Sequence, residues 1–230
     1  MAISIENLFI YLSAISDFIL IVWFFFLLDR TKKDRKILVI FVYCIASLAL
    51  NYFGEHLHKG KIYYYTIFTL IEYLIFASFF YLIFPSKKMK VIIGALSFMF
   101  VAFTVLYILK NPNIKIDSFC IGIETILIIL YSFYYMYQEL RETKQSFIYN
   151  NYRFWIISGI LIYLAGSFFI YIFANQLKSV LLTDYWALTN AFYIIKNVFF
   201  AIAIKQYLNA GKIKNSPKGI SYNLLQHRTR

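Results

Sequence analysis

The sequence predicts an all-α membrane protein: a bundle of seven transmembrane helices with the N-terminus outside and the C-terminus in the cytoplasm. Three observations predict it. Of the 230 residues, 61% are hydrophobic, and apolar runs of roughly eighteen or more residues, long enough to cross a bilayer as helix, recur along nearly the whole chain. The runs show no ten-residue alternating segments of the kind that build a membrane barrel. Finally, the 23 Lys and Arg residues gather in the short segments between the runs and favour one side.

Taken in order, the spans fall at about 5–28, 37–55, 62–84, 91–109, 118–138, 154–175 and 184–204. The first follows a start that contains Glu6 but no Lys or Arg, unlike the positive n-region of a secretory signal, so it is expected to stay in the membrane. It carries Asp17. The second places Ser47, Asn51 and Glu55 at four-residue spacing on one face, with Glu55 capping its outer end. The third offers Tyr65, Thr69 and Glu72 on another stripe. The fourth has no ionisable group in its interior. The fifth carries Glu124 and then an aromatic run from Tyr131 to Tyr137. The sixth has Gly159 and Gly166 beside Ser158, Ala165 and Ser167, a small-residue face suited to close helix packing. The seventh aligns Trp186, Asn190, Tyr193 and Asn197, with Lys196 at the edge of that stripe. Pro85, Pro112 and Pro217 all fall between or after spans, so continuous helices are expected in place of the broken ones of many transporters.

Orientation follows from charge. The segments 29–36, 85–90, 139–153 and 205–230 hold seventeen basic residues, and the opposite side holds five. That bias puts the seventeen in the cytoplasm. Residues 1–204 therefore form the transmembrane domain, and 205–230 a polar, basic, flexible cytoplasmic tail. No loop is long enough for a soluble catalytic unit. The net charge of +12 is topological and does not form a phosphate-binding face, so nucleic acid is excluded as a partner. Cys44 and Cys120 lie within spans and read as small apolar fillers. His56 and His58 sit on the opposite side from His227, so three histidines cannot converge on a metal, and none is expected. No Ser-centred elbow, phosphate loop or paired-Cys motif occurs, and the chain does not read as an enzyme.

What remains is the charge inside the membrane. Asp17, Glu72, Glu124 and Lys196 lie in the odd-numbered spans, and each costs roughly 2.5–3.5 kcal/mol to insert. By helical rise, Asp17, Glu72 and Lys196 stand roughly 15–18 Å from the outer boundary, and Glu124 roughly 8–9 Å. Polar neighbours (Asn51, Glu55, Asn190, Tyr193 and Asn197) lie from mid-membrane outward, which predicts a charged pocket open to the outer side above an aromatic inner half. Three acids and one base cannot all be charged in a dry interior. Lys196 can neutralise one carboxylate, and Glu72 is its expected partner; another acid must be protonated or take a cation or water.

Three stretches carry a resemblance: Ile71-Glu72-Tyr73, Phe154-Trp155-Ile156-Ile157-Ser158-Gly159, and Tyr185-Trp186 leading to Ile195-Lys196-Asn197. By these the chain resembles small seven-helix membrane proteins of Bacteroidetes and, more distantly, the seven-helix sensor regions of bacterial histidine kinases. The resemblance implies a sensor or accessory subunit of the bacterial inner membrane, multi-pass in the lipid bilayer. It would bind a small ligand or partner, with output through a separate signalling or membrane protein on the cytoplasmic side. No cofactor is expected. One alternative is a proton- or cation-coupled transporter using the surplus carboxylates as a relay. Another is a retinal-binding photoreceptor: Lys196 lies midway along the last span as in microbial rhodopsins, although Phe192 stands where those proteins usually have an Asp, and the third span lacks their Arg. The last is an intramembrane enzyme built on the carboxylates alone.

Overall fold

A computed structural model describes residues 5–31, 34–56, 61–110, 118–142, 148–173 and 179–215, with side chains over 7–27, 34–53, 65–110, 118–141, 148–173 and 185–209. Among these residues the chain is helical and contains no strand. Seven helices are long and apolar enough to cross a membrane. They are α1 (Ile5–Thr31), α2 (Arg35–His56), α3 (Lys61–Ile83), α4 (Lys87–Lys110), α5 (Ser118–Glu142), α6 (Tyr152–Phe173) and α7 (Ser179–Asn215). A single 3-10 turn, Ile148–Asn150, precedes α6.

All seven lie where the apolar runs place them, and each is continuous. The largest difference is α7, which runs to Asn215, well past the span end at 204. Residues 205–210 contain no Gly or Pro. Tyr207 and Leu208 still pack on the core, with the Tyr207 ring edge-on to Tyr152 at 5.3 Å. Packing therefore favours helix past 204 as far as these residues. The remainder of the tail, 216–230, lies outside the described residues, as do His58 and the side chains of Glu55 and His56.

Two helix starts are capped by side chains. Asp34 accepts the backbone N–H of Lys36 at 3.0 Å, and Asn151 accepts that of Arg153 at 3.1 Å. Each satisfies one of the amide groups that the first turn leaves without a partner. The same caps tie elements together. Tyr152 donates to Asp34 at 2.6 Å, and Asn151 donates to Glu139 at 2.8 Å.

In the bundle, α1 packs between α2 and α7, α6 between α7 and α5, and α3 contacts α2, α4 and α5. Six helices thus close a ring, and α4 packs chiefly on the outside of α3. Burial agrees: half of each span in α3, α5 and α6 is buried, against 17% in α4. The half of the bundle where α3 and α5 end is filled by rings, Phe80 against Phe84 and Tyr131, and Phe84 against Tyr134 and Tyr135. That is the aromatic half the sequence predicts.

The α6–α7 contact is the most extensive among the described helices, and glycine lets the two backbones come close. A Cβ on Gly159 would stand 2.8 Å from Phe199 Cβ and 3.2 Å from the Lys196 carbonyl; one on Gly166 would strike the Phe192 ring at 2.6 Å. The backbone of α6 therefore lies directly against the turn of α7 that carries Lys196.

Candidate functional site

Tyr193, Lys196, Asn197 and Phe200 recur at three- and four-residue spacing on α7 and so face one way, into the ring. All four are buried, Lys196 completely. Opposite them stand Ser16 and Asp17 of α1, Tyr43 and Ser47 of α2, and Glu72 of α3.

On the α1 side, Asp17 is fully buried and fully supplied with donors. Tyr193 donates to its Oδ1 and Oδ2 at 3.0 and 2.8 Å, and Asn197 donates to Oδ1 at 2.8 Å. The amide of Asn197 also donates to Ser16 at 2.7 Å. Ser47 hydrogen-bonds the Tyr193 hydroxyl, whose own hydrogen is directed at Asp17. A carboxylate that accepts several good hydrogen bonds is held at low cost in a dry interior.

At the centre, the Lys196 ammonium sits in a cage of rings. Its Nζ lies 3.4 Å from the centroid of Tyr193, 4.4 Å from Tyr43, 4.7 Å from Tyr163 and 5.7 Å from Phe200. Ring faces attract a cation, and a desolvated contact is worth about 2 kcal/mol. Nζ also donates to the Tyr43 hydroxyl at 2.6 Å, and that hydroxyl donates to Glu72 Oε1 at 2.7 Å. Lys196 and Glu72 are thus joined, as the sequence leads one to expect, but not directly: Tyr43 stands between them as acceptor from one and donor to the other.

On the far side of Glu72, a cavity of about 30 Å³ opens between α3, α5 and α6. Glu72, Glu124, Thr69, Thr125, Tyr163 and Tyr171 are among its lining residues. Glu124 is 2% exposed, and its Oε1 has no hydrogen-bond partner. The cavity lies toward the end at which α3 and α5 begin. There Trp186 stacks on Tyr65 at 6.4 Å and meets Tyr171 edge-on at 5.7 Å, covering that end of the site with rings.

Of the residues singled out in the sequence, Asp17, Glu72, Tyr193, Lys196 and Asn197 therefore belong to one network, and Glu124 shares a cavity with Glu72. Asn51 and Asn190 are half-buried and join none of these hydrogen bonds. Glu55 closes α2, but its side chain lies outside the described residues. Sequence reasoning missed Tyr43 and Tyr163. Tyr43 was within reach, since it continues the Ser47, Asn51, Glu55 stripe one turn further inward. Tyr163 had only its place four residues after Gly159 to mark it.

Comparison with protein-family models, curated proteins and solved structures finds no match to this chain.

Proposed function

We propose that the chain is a multi-pass protein of the bacterial inner membrane whose charged centre binds a proton from the outer side. In this reading it acts as a sensor or accessory subunit, with output through a separate protein on the cytoplasmic face. The observation that carries the reading is the unbroken run Lys196–Tyr43–Glu72, a base and an acid bridged by one phenol, which opens onto a cavity of about 30 Å³. That space admits one or two waters. Organic ligands occupy sites of roughly 300–1,000 Å³. A ligand at this centre is therefore water-sized, and a hydrogen-bonded acid, phenol and amine exchange protons readily.

The side of entry is supported by the cavity's position beneath Tyr65, Trp186 and Tyr171, at the end of the bundle that carries few basic residues. Output through packing is supported by the network's span. It draws on α1, α2, α3 and α7, and Tyr152 ties the start of α6 to the start of α2 through Asp34 at the basic end. A Schiff base on Lys196 is disfavoured by the same geometry. The Tyr193 and Tyr43 rings, 3.4 and 4.4 Å from Nζ, fill the space that a polyene would need.

A second reading, a proton-coupled transporter, draws on the acids that flank Lys196 on both sides, with Tyr193 linking Asp17 to the cage. One preparation separates the two. Full-length protein is reconstituted in liposomes with a pH-sensitive dye inside, and infrared difference spectra are recorded as external pH is stepped. For a sensor, carboxyl bands change with pH, the change is lost in Glu72→Gln, and an imposed pH gradient is not dissipated. Dissipation that requires Glu72 would make the protein a transporter. Spectra unresponsive to pH would end both readings.

A further inference from the structure

We propose that the cavity between α3, α5 and α6 holds a sodium ion between Glu72 and Glu124. The proposal deepens the reading above, since it rests on a centre that takes a small cation from the side where α3 and α5 begin, and it names the second cation.

The first argument is the kind of atom that lines the space. A carboxylate offers only acceptors. Glu124 Oε1 is buried without a donor, and one Glu72 oxygen already receives Tyr43. Thr69 spends its hydroxyl hydrogen on the Tyr65 carbonyl at 2.9 Å, so toward any neighbour it presents lone pairs. A water-sized cavity that brings two carboxylates and the lone pairs of Thr69 together among apolar and tyrosine side chains suits a hard cation.

Charge decides the valence. Asp17 has Tyr193 and Asn197 as donors, and Glu72 has Tyr43 with the Lys196 ammonium behind it. Glu124 has neither. One carboxylate is left without compensation at the cavity, which one monovalent cation neutralises. A divalent ion would over-compensate locally, and calcium wants six to eight oxygens. Size is the remaining argument. About 30 Å³ holds a bare or singly hydrated small ion, while a fully hydrated one does not fit. Protons compete for the same oxygens. The titratable groups around the ion are Glu72 and Tyr65 of α3, Glu124 of α5 and Tyr163 and Tyr171 of α6, with Tyr43 of α2 and Lys196 of α7 behind Glu72.

The test is the thermal unfolding of the full chain in detergent at fixed ionic strength, with choline, potassium, sodium or calcium as the chloride. A ligand that binds only the folded form raises Tm in a saturable manner. Sodium should raise Tm by a few degrees over choline, with half-saturation moving to higher sodium as pH falls. Glu124→Gln should abolish the sodium increment. A Tm equal in sodium and choline, a rise only with calcium, or a sodium increment that survives in Glu124→Gln overturns the proposal. If Tm depends on pH through Glu124 but is indifferent to the cation, the sodium site fails while the proton reading stands. Should Glu124→Gln not yield folded protein, equilibrium binding of radioactive sodium to the wild type decides. Binding near one ion per chain, displaced by protons, supports the site, and no binding removes it.

Discussion

Asp17 and Glu124 are both carboxylates buried in the same bundle, and they are treated in opposite ways. Asp17 accepts hydrogen bonds on both oxygens from Tyr193 and Asn197, and Ser47 fixes Tyr193 in turn. Glu124 keeps an oxygen with no partner beside a water-sized cavity. A buried acid wrapped in donors rigidifies a fold, whereas one left with an unpartnered oxygen beside a water-sized space leaves room there for a water, a proton or an ion. The contrast divides the charged centre into a fixed half, on α1, α2 and α7, and a half on α3, α5 and α6 that exchanges its cation in the reading proposed above. Lys196 and Tyr43 form the hinge between them.

Removing that hinge should have the largest effect. Lys196→Met takes away the only buried base among the described residues and leaves its acids uncompensated, at a cost of roughly 3–5 kcal/mol. Glu72→Gln in the same molecule should recover part of it, read as a double-mutant cycle by thermal or denaturant unfolding in detergent. Because Tyr43 mediates the contact, the coupling should shrink when the cycle is repeated in Tyr43→Phe. A coupling that is unchanged there would mean that Lys196 and Glu72 meet directly, and the division into halves would lose its pivot.

Next comes the fixed half. Tyr193→Phe removes the hydroxyl that serves Asp17 and leaves Ser47 without its partner, so unfolding in detergent should show a loss of roughly 1–3 kcal/mol. A comparable figure belongs to Gly159→Ala. Its new Cβ meets Phe199 Cβ and the Lys196 carbonyl, neither of which can swing aside, and overpacking of this kind costs roughly 1–3 kcal/mol. Gly166→Ala should cost less, because the obstacle there is the Phe192 ring, which can turn. If the order of the two glycines were reversed, the placement of Lys196 would owe less to the α6–α7 contact than the geometry implies.

The fold was legible because one constraint dominates: a backbone in lipid must satisfy its own hydrogen bonds, so apolar runs of sufficient length become helices. Where that constraint relaxes, the reading was less secure. The extension of α7 past 204 follows from the packing of Tyr207 on Tyr152, a contact no hydropathy pattern contains. In the site, the charged residues stood out by their cost, and Asp17, Glu72 and Lys196 do meet in one network. The residues that connect them did not stand out. In a chain with 21 Tyr, Tyr43 is marked only as the inward continuation of the Ser47, Asn51, Glu55 stripe and Tyr163 only by its spacing from Gly159, and neither pattern points to Lys196 until the helices are arranged around it. For the same reason the Glu72–Lys196 pairing was visible and its mediator was not. Sequence separates Asp17 from Glu124 only by depth, Asp17 being the deeper; which of the two is supplied with donors depends on what the other helices bring to them.

The smallest expected effect is the sharpest check on that difference. Glu124→Gln in choline chloride should leave unfolding stability unchanged within about 0.5 kcal/mol, or raise it slightly. No donor aimed at Oε1 is lost, the shape is conserved, and an uncompensated buried charge or its protonation cost disappears. Asp17→Asn is the matched control: one of its two oxygens becomes an NH₂ facing the hydroxyl of Tyr193 or the amide of Asn197, both of them donors here, so it should destabilise clearly. Melts of the two variants side by side give the answer without any assay of activity. Equal losses would mean that Glu124 is held as firmly as Asp17 by groups that close over it, and the exchanging half of the site would have to be sought elsewhere in the bundle.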